Sequence, residues 1–316
     1  MTPETVVAPL PDFFSPVFVK ELRQGLRAHR FVLPFVAAQI FAVLAVGTEF
    51  GIAAIVDAAI TGGGASSDLL GRVVMWVLWG VIGVVMPLTS LAALRDELSD
   101  EKNVELLLMS NLNRWQIVRG KWLVGSALSG LIFVSMLPYI LTRYFVGGLE
   151  LPPLLFELCG MILANLVGTA LAIGASGFRN LLGRFVLVGI GVLSYLGTWF
   201  GATGALLNRL GSRTGGGELW LYGLLLLAGG LVAALYVIYG LQLGRARLRL
   251  FENPVDPPAS GLIIALMIFS PVVVAVVAAA SGGYGGGVAV LGLLAIGLLI
   301  DRGPGASAAA AAYAQP

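Results

Sequence analysis

The chain has little of what site chemistry requires. Its 316 residues contain one cysteine, Cys159, and one histidine, His29. A single cysteine excludes an internal disulfide framework and a cysteine-rich metal site. No His-Glu-x-x-His, Cys-x-x-Cys or Gly-x-Ser-x-Gly pattern occurs, so metallopeptidase and nucleophile-elbow chemistry lack their residues. Gly120-Lys121 is followed by Trp122 and has no glycine before it at phosphate-loop spacing, so no nucleotide-binding loop is present. Charge is scarce as well. Asp, Glu, Lys and Arg make up 11% of the residues, against roughly a quarter in soluble domains. A water-soluble fold of this length is thereby excluded, and no catalytic residue, resident metal or nucleic-acid partner is expected.

What the chain does have is apolar length. Hydrophobic residues account for 58%, and several runs reach the roughly 20 residues that a membrane-crossing helix needs. The expected spans are 31–48 (continuing toward Ile60), 73–94, 115–145, 154–176, 185–206, 219–243, 261–281 and 284–300, the last the weakest. Loop punctuation separates them at Thr61-Gly62-Gly63-Gly64, Gly147-Gly148, Leu151-Pro152-Pro153, 211–217 and Ser281-Gly282-Gly283. The chain thus reads as an all-α integral membrane protein of about eight spans.

Residues 1–15 form a leader that is Pro-rich and acidic rather than basic and then apolar, so no cleavable signal is expected. Ser15-Pro16 is a helix start, and 16–30 reads as a basic amphipathic helix. Phe18, Leu22, Leu26 and His29 make its stripe, while Lys20, Arg23, Gln24, Arg27 and Arg30 occupy the remainder. Such a helix before a span is expected to lie in the headgroup plane, apolar face down. The Ala-rich end, 303–316, reads as a disordered tail.

Basic residues orient the chain. With a cytoplasmic N-terminus, fifteen of the 19 Lys and Arg residues fall on inner segments, and only Arg72, Arg143, Arg209 and Arg213 on outer ones. The positive-inside rule then places both termini and the 95–121 insert in the cytoplasm. Trp115 and Trp122 at the inner side, and Trp199, Trp220 and Tyr222 at the outer side, agree with interfacial belts. Ionisable residues in or near spans are few: Glu49, Asp57, Arg143 and Glu157, all toward the outer rim, where they can snorkel or pair. The almost charge-free midplane disfavours an ion-coupled carrier. Span four carries Gly160, Ala164, Gly168, Ala172 and Ser176 at four-residue spacing, a face suited to close helix approach, and beside it Asn165, assigned to an interhelical hydrogen bond. The basic segment 244–251 is expected to meet anionic headgroups.

The insert between spans two and three stands out. It reads Arg95-Asp96-Glu97-Leu98-Ser99-Asp100-Glu101-Lys102-Asn103-Val104-Glu105-Leu106-Leu107-Leu108-Met109, then the turn Ser110-Asn111-Leu112-Asn113, then Arg114 to Lys121. Glu105-Leu106-Leu107, the turn and Gly120-Lys121, together with the helix start 15–23, resemble the type-2 exporter permeases of the ABC transporter superfamily. The likeness covers about 15–243. That family's Gly-Thr and Thr-Pro elements stand here as Asn103-Val104 and Ser110-Asn111, and two spans follow the sixth.

The resemblance implies an amphipathic elbow helix (16–30), a six-span core (31–252) with the cytoplasmic coupling insert 95–121, and two additional spans (253–302). It also implies a homodimeric or heterodimeric pore in the cell (inner) membrane, clamped by separate ATPase subunits that bind ATP and magnesium. Coupling would run through Glu97, Glu101, Glu105, Leu106, Leu107, Arg114, Gly120 and Lys121, with Leu106 to Leu108 as apolar anchors in a groove of the ATPase. Two other classes compete: a membrane scaffold holding a soluble partner, and an ion-coupled carrier.

Overall fold

A helix buried in lipid must satisfy its backbone internally, and two prolines show how this bundle does so. A computed structural model describes residues 16–59, 75–94, 114–146, 150–178, 180–210, 218–247 and 260–300. Among them the helices are α1 (Pro16–Arg27), α2 (His29–Ala59), α3 (Met75–Ala92), α4 (Arg114–Val146), α5 (Leu151–Ser176), α6 (Leu181–Leu210), α7 (Glu218–Arg247), α8 (Ser260–Ala280) and α9 (Gly285–Ile300). Seven of these, α2 to α8, are long and apolar enough to cross a membrane, the make-up of a multi-pass membrane protein.

The eighth expected span is shorter than the others. Helix α9 has 16 residues, about 24 Å at 1.5 Å per residue, against roughly 30 Å of hydrocarbon. Gly282 and Gly283, with φ of 66° and 104°, turn the chain between α8 and α9. Positive φ of this kind is open to glycine at no steric cost.

Helix α5 is the hub. Its span window is 67% buried, whereas those of the other six spans run from 24% to 39%. One core joins α5 to α6–α9 around Leu171, Leu235, Tyr236, Tyr239, Met267 and Val290. A second joins it to α2–α4 around Ala38, Ile82, Met136 and Met161. Helices α8 and α9, expected as two additional spans, therefore share a core with α6 and α7. Gln242 Nε2 of α7 also donates to the Gly297 carbonyl of α9 at 2.6 Å.

Helix α3 is not uniform. It passes through a π-helical stretch, Trp79–Val85, before Met86–Thr89 and a 3-10 turn, Ser90–Ala92. The Met86 N–H reaches back to the Val81 carbonyl. The next donor in that register is Pro87, which has none, and the Ile82 carbonyl is left open. Asn165 Nδ2 of α5 fills it at 2.6 Å, both groups being buried. The interhelical bond expected of Asn165 thus has a specific cause.

Pro271 of α8 repeats the device. It cannot donate to the Met267 carbonyl, which instead accepts from Ser270 Oγ at 3.0 Å and from the Tyr236 hydroxyl of α7 at 3.3 Å. Thr198 of α6 joins this group at 2.8 Å from the Tyr236 hydroxyl.

The small-residue face of α5 receives α3. A Cβ on Gly168 would lie 3.0 Å from Pro87, and one on Gly160 would lie 3.9 Å from Trp79. Ala172 is fully buried and Ala164 half-buried on the same helix.

Asn165→Leu should cost about 1–3 kcal/mol if the Ile82 carbonyl stays unsatisfied, and nearer 0.6 kcal/mol if it relaxes as typical membrane hydrogen bonds do. Thermal unfolding in detergent separates these outcomes, and no change at all would remove the bond from the account of α3.

Candidate functional site

The two ends of the charged insert are the place to look for function, because charge is otherwise sparse. Residues 95–113 lie outside the described residues, and with them Glu97, Glu101, Glu105, Leu106 and Leu107. Both flanks are described, and both are built into the bundle.

On the α3 side, Leu94 is fully buried. Its N–H donates to Ser176 Oγ at 3.2 Å, and that hydroxyl donates to the Ile173 carbonyl at 2.6 Å. Leu94 packs with Ile117, Val118, Ala170, Ile173 and Leu241, so α3, α4, α5 and α7 meet around it.

Beneath this root lies Arg184, near the start of α6. Among the described residues it is one of the largest side chains all but sealed from solvent, at 2% exposure. Its Nε donates to the Phe178 carbonyl at 2.7 Å and its Nη1 to the Leu91 carbonyl at 3.1 Å. These carbonyls belong to the trailing ends of α5 and α3. Helix C-termini present unpaired carbonyls and the negative end of the helix dipole, so a cation is favoured there. The planar guanidinium can serve two of them at once, where an ammonium presents a compact point charge.

On the α4 side, Arg114 opens the helix and is half-buried. Trp115 lies under two guanidinium groups, that of Arg119 at 5.2 Å and that of Arg245 from α7 at 6.0 Å from the ring centre. Both distances are within cation–π range. A side chain at Gly120 would meet open space. Lys121 turns toward α1, where its Nζ stands 3.3 Å from Glu21 Oε1. Trp122 Nε1 donates to the Leu166 carbonyl at 3.0 Å.

Helix α1 ends at Arg27, three residues short of the expected 30, because the chain bends at Ala28 before α2 begins at His29. It packs on α4, and a Cβ on Gly25 would stand 2.8 Å from Leu128. Phe18, Glu21, Leu22 and Gly25 are the less exposed positions of this helix, whereas Leu26 is 38% exposed. Leu26 therefore stands apart from Phe18 and Leu22, which sit on the side of Gly25.

The structure brings Lys121 to α1, and Arg114 and Gly120 lie in the first two turns of the same helix, α4. Arg184, Ser176 and Glu21 hold the flanks of the insert, whereas the sequence alone placed Ser176 on the small-residue face, Glu21 in the helix start 15–23 and Arg184 among the inner basic residues. In a tally of basic residues Arg184 looks like its neighbour Arg179, and only its carbonyl partners set it apart.

Chemically the described residues offer little else. No group of three or more His, Cys, Asp or Glu among them could hold a metal ion. A cavity of about 140 Å³ opens between α6, α7 and the α8–α9 turn, lined by Leu221, Leu224, Leu225, Ala228, Tyr284 and Val290 among others. The Thr203 hydroxyl beside it is already bonded to the Trp199 carbonyl at 2.7 Å. The side chains of Glu49, Asp57 and Arg143 lie outside the described residues. No family model, curated protein or solved structure matches the chain.

Proposed function

We propose that the chain is the membrane-spanning subunit of an ABC exporter, driven through its 95–121 insert by a separate ATP-hydrolysing protein. The observation that carries this reading is the anchoring of both insert flanks. An insert that transmits force needs roots fixed to the bundle. Here Leu94 and Lys121 are tied to α5 and α1, and Arg184 ties the end of α3 to the α5–α6 turn. A helix seated in an ATPase groove by Leu106 to Leu108, rimmed by Asp100, Glu101 and Glu105, would then move the bundle as a lever. Helix-in-groove docking passes rigid-body motion in this way.

The chain itself supplies the path and the lever, and ATP and magnesium belong to the partner. With α9 as an eighth crossing both termini are cytoplasmic, in keeping with the distribution of basic residues, and the resemblance implies a dimer of such chains in the cell membrane.

The test is purification of the tagged chain in mild detergent, with identification of co-purifying protein and assay of its ATP hydrolysis. A stoichiometric ATPase should appear. The double variant Glu101→Lys, Glu105→Lys should lose it, or should leave its hydrolysis unresponsive to the chain. A bound soluble protein whose hydrolysis ignores the chain would instead make the chain a scaffold. Solute movement by the purified chain alone would make it a carrier.

A further inference from the structure

We infer that the outward side of α1 is a binding surface for anionic phospholipid headgroups, and that charge rather than apolar insertion holds this helix at the membrane. The inference needs only the membrane reading and is independent of the exporter reading.

The argument begins with how α1 uses its residues. At 100° per residue, Phe18, Glu21, Leu22 and Gly25 share one side of the helix. These are also its less exposed positions, and Gly25 lies directly on Leu128 of α4. The apolar stripe that would ordinarily sink into the acyl boundary is therefore spent largely on the protein. Among the described side chains of α1, what remains apolar and outward is Val19 and Leu26, each 38% exposed. Two such side chains make a weak anchor by area, since membrane binding of an interfacial helix scales with the apolar area it buries.

The opposite side carries Lys20, Arg23 and Arg27, all exposed and within about 60° of one another around the helix. The acidic residue on α1, Glu21, is drawn to the other side and engaged by Lys121. The charges on the outward face, Lys20, Arg23 and Arg27, are consequently all positive. Val19 and Leu26 flank this sector, the arrangement in which long basic stems run along apolar surface and lift their charges to phosphate level. A tripositive strip beside a small apolar rim matches an anionic headgroup layer, whereas a zwitterionic layer offers it no net attraction.

The pairing of Glu21 with Lys121 has a second consequence. It makes α1 and the first turns of α4 one unit, so the lipid-held helix is joined to the flank of the insert.

The experiment uses the full chain in bilayer nanodiscs, with spin-labelled phosphatidylglycerol and phosphatidylcholine as probes. The immobilised fraction of each label gives the preference of the protein surface for the anionic lipid. One basic residue at an anionic surface is worth on the order of a fivefold preference, so Lys20→Gln, Arg23→Gln, Arg27→Gln together should lose at least that factor. The wild-type preference should also fall as salt is raised past about 0.1 M, where the screening length is near 10 Å.

These three side chains are exposed, so the variant should keep its fold, and an unchanged elution profile checks this. Glu21→Gln is the companion variant: it breaks the tie to α4, leaves the basic strip intact and should retain the preference. A triple variant as selective as the wild type would overturn the inference. So would a wild type with no selectivity, or a preference lost in Glu21→Gln but kept in the triple variant.

Discussion

Replacing Gly240 with leucine should leave no recoverable folded protein, and even Gly240→Ala should cost more than about 3 kcal/mol. At this point α5 and α7 meet backbone to backbone. A Cβ on Gly240 would stand 2.6 Å from the carbonyl carbon and oxygen of Ala170 and 2.8 Å from the Leu171 nitrogen. On the facing helix, a Cβ on Gly174 would run into the Gly240 carbonyl. Overpacking a core by a methylene costs about 1–3 kcal/mol when side chains can rotate away. Backbone atoms cannot, so the two helices must separate. Because α5 serves both large cores, that separation would propagate through the bundle.

Gly230, on the same helix, has open space where a Cβ would go, and Gly230→Ala should be neutral or slightly stabilising from helix propensity. Fluorescence-detected gel filtration after a heating series would compare the two alanines. Equal midpoints would mean that α5 and α7 do not meet this closely.

The second large effect is expected at Arg184. Arg184→Met keeps side-chain length but removes the donors to the Phe178 and Leu91 carbonyls. The bond to Leu91 is buried and that to Phe178 partly so; a buried acceptor that loses its donor costs about 1–3 kcal/mol, and a loss of about that size is expected. Arg184→Lys retains the charge beside the C-termini of α3 and α5, yet an ammonium is a compact point charge and cannot reproduce the guanidinium fork. It should fall between wild type and Arg184→Met.

Hydrogen exchange gives the discriminating readout. Amides at the end of α3, and above all Leu94, should lose protection in Arg184→Met, while the α6–α7–α8 cluster around Tyr236 keeps its own. Uniform loss across the bundle would show a general packing role instead. In the exporter reading, a variant that still folds and still holds its ATPase should respond less to ATP, since the root of the insert is no longer tied to the α5–α6 turn.

Much of the architecture was legible before any coordinates. The runs now forming α2 to α8 announced themselves by length and apolarity, and their loops by glycine and proline. Those properties belong to each segment alone, because a bilayer sets the same length and hydropathy requirement whatever the neighbours are. The helix of 16–30 was likewise readable, though its end at Arg27 and the side it gives to α4 were not. The short α9, Gly285–Ile300, was legible too, expected at 284–300 as the weakest of the runs.

Other features depend on pairs. Among 43 glycines, nothing local marks Gly174 and Gly240 as the two that face each other. Asn165 was visible as a deep polar residue, but its partner is set by the π-helical register of α3 and by Pro87. Arg184 counted as one more inner-face cation until its carbonyl acceptors came from two other helices.

The sequence by itself determined that this is a helical, multi-span membrane chain with one concentrated charged insert. Only the tertiary structure decided which helix is the hub, which carbonyls need outside donors, and how the insert's flanks are tied down. Hydropathy is summed along one segment, whereas closeness and hydrogen-bond satisfaction exist only between segments once they are packed.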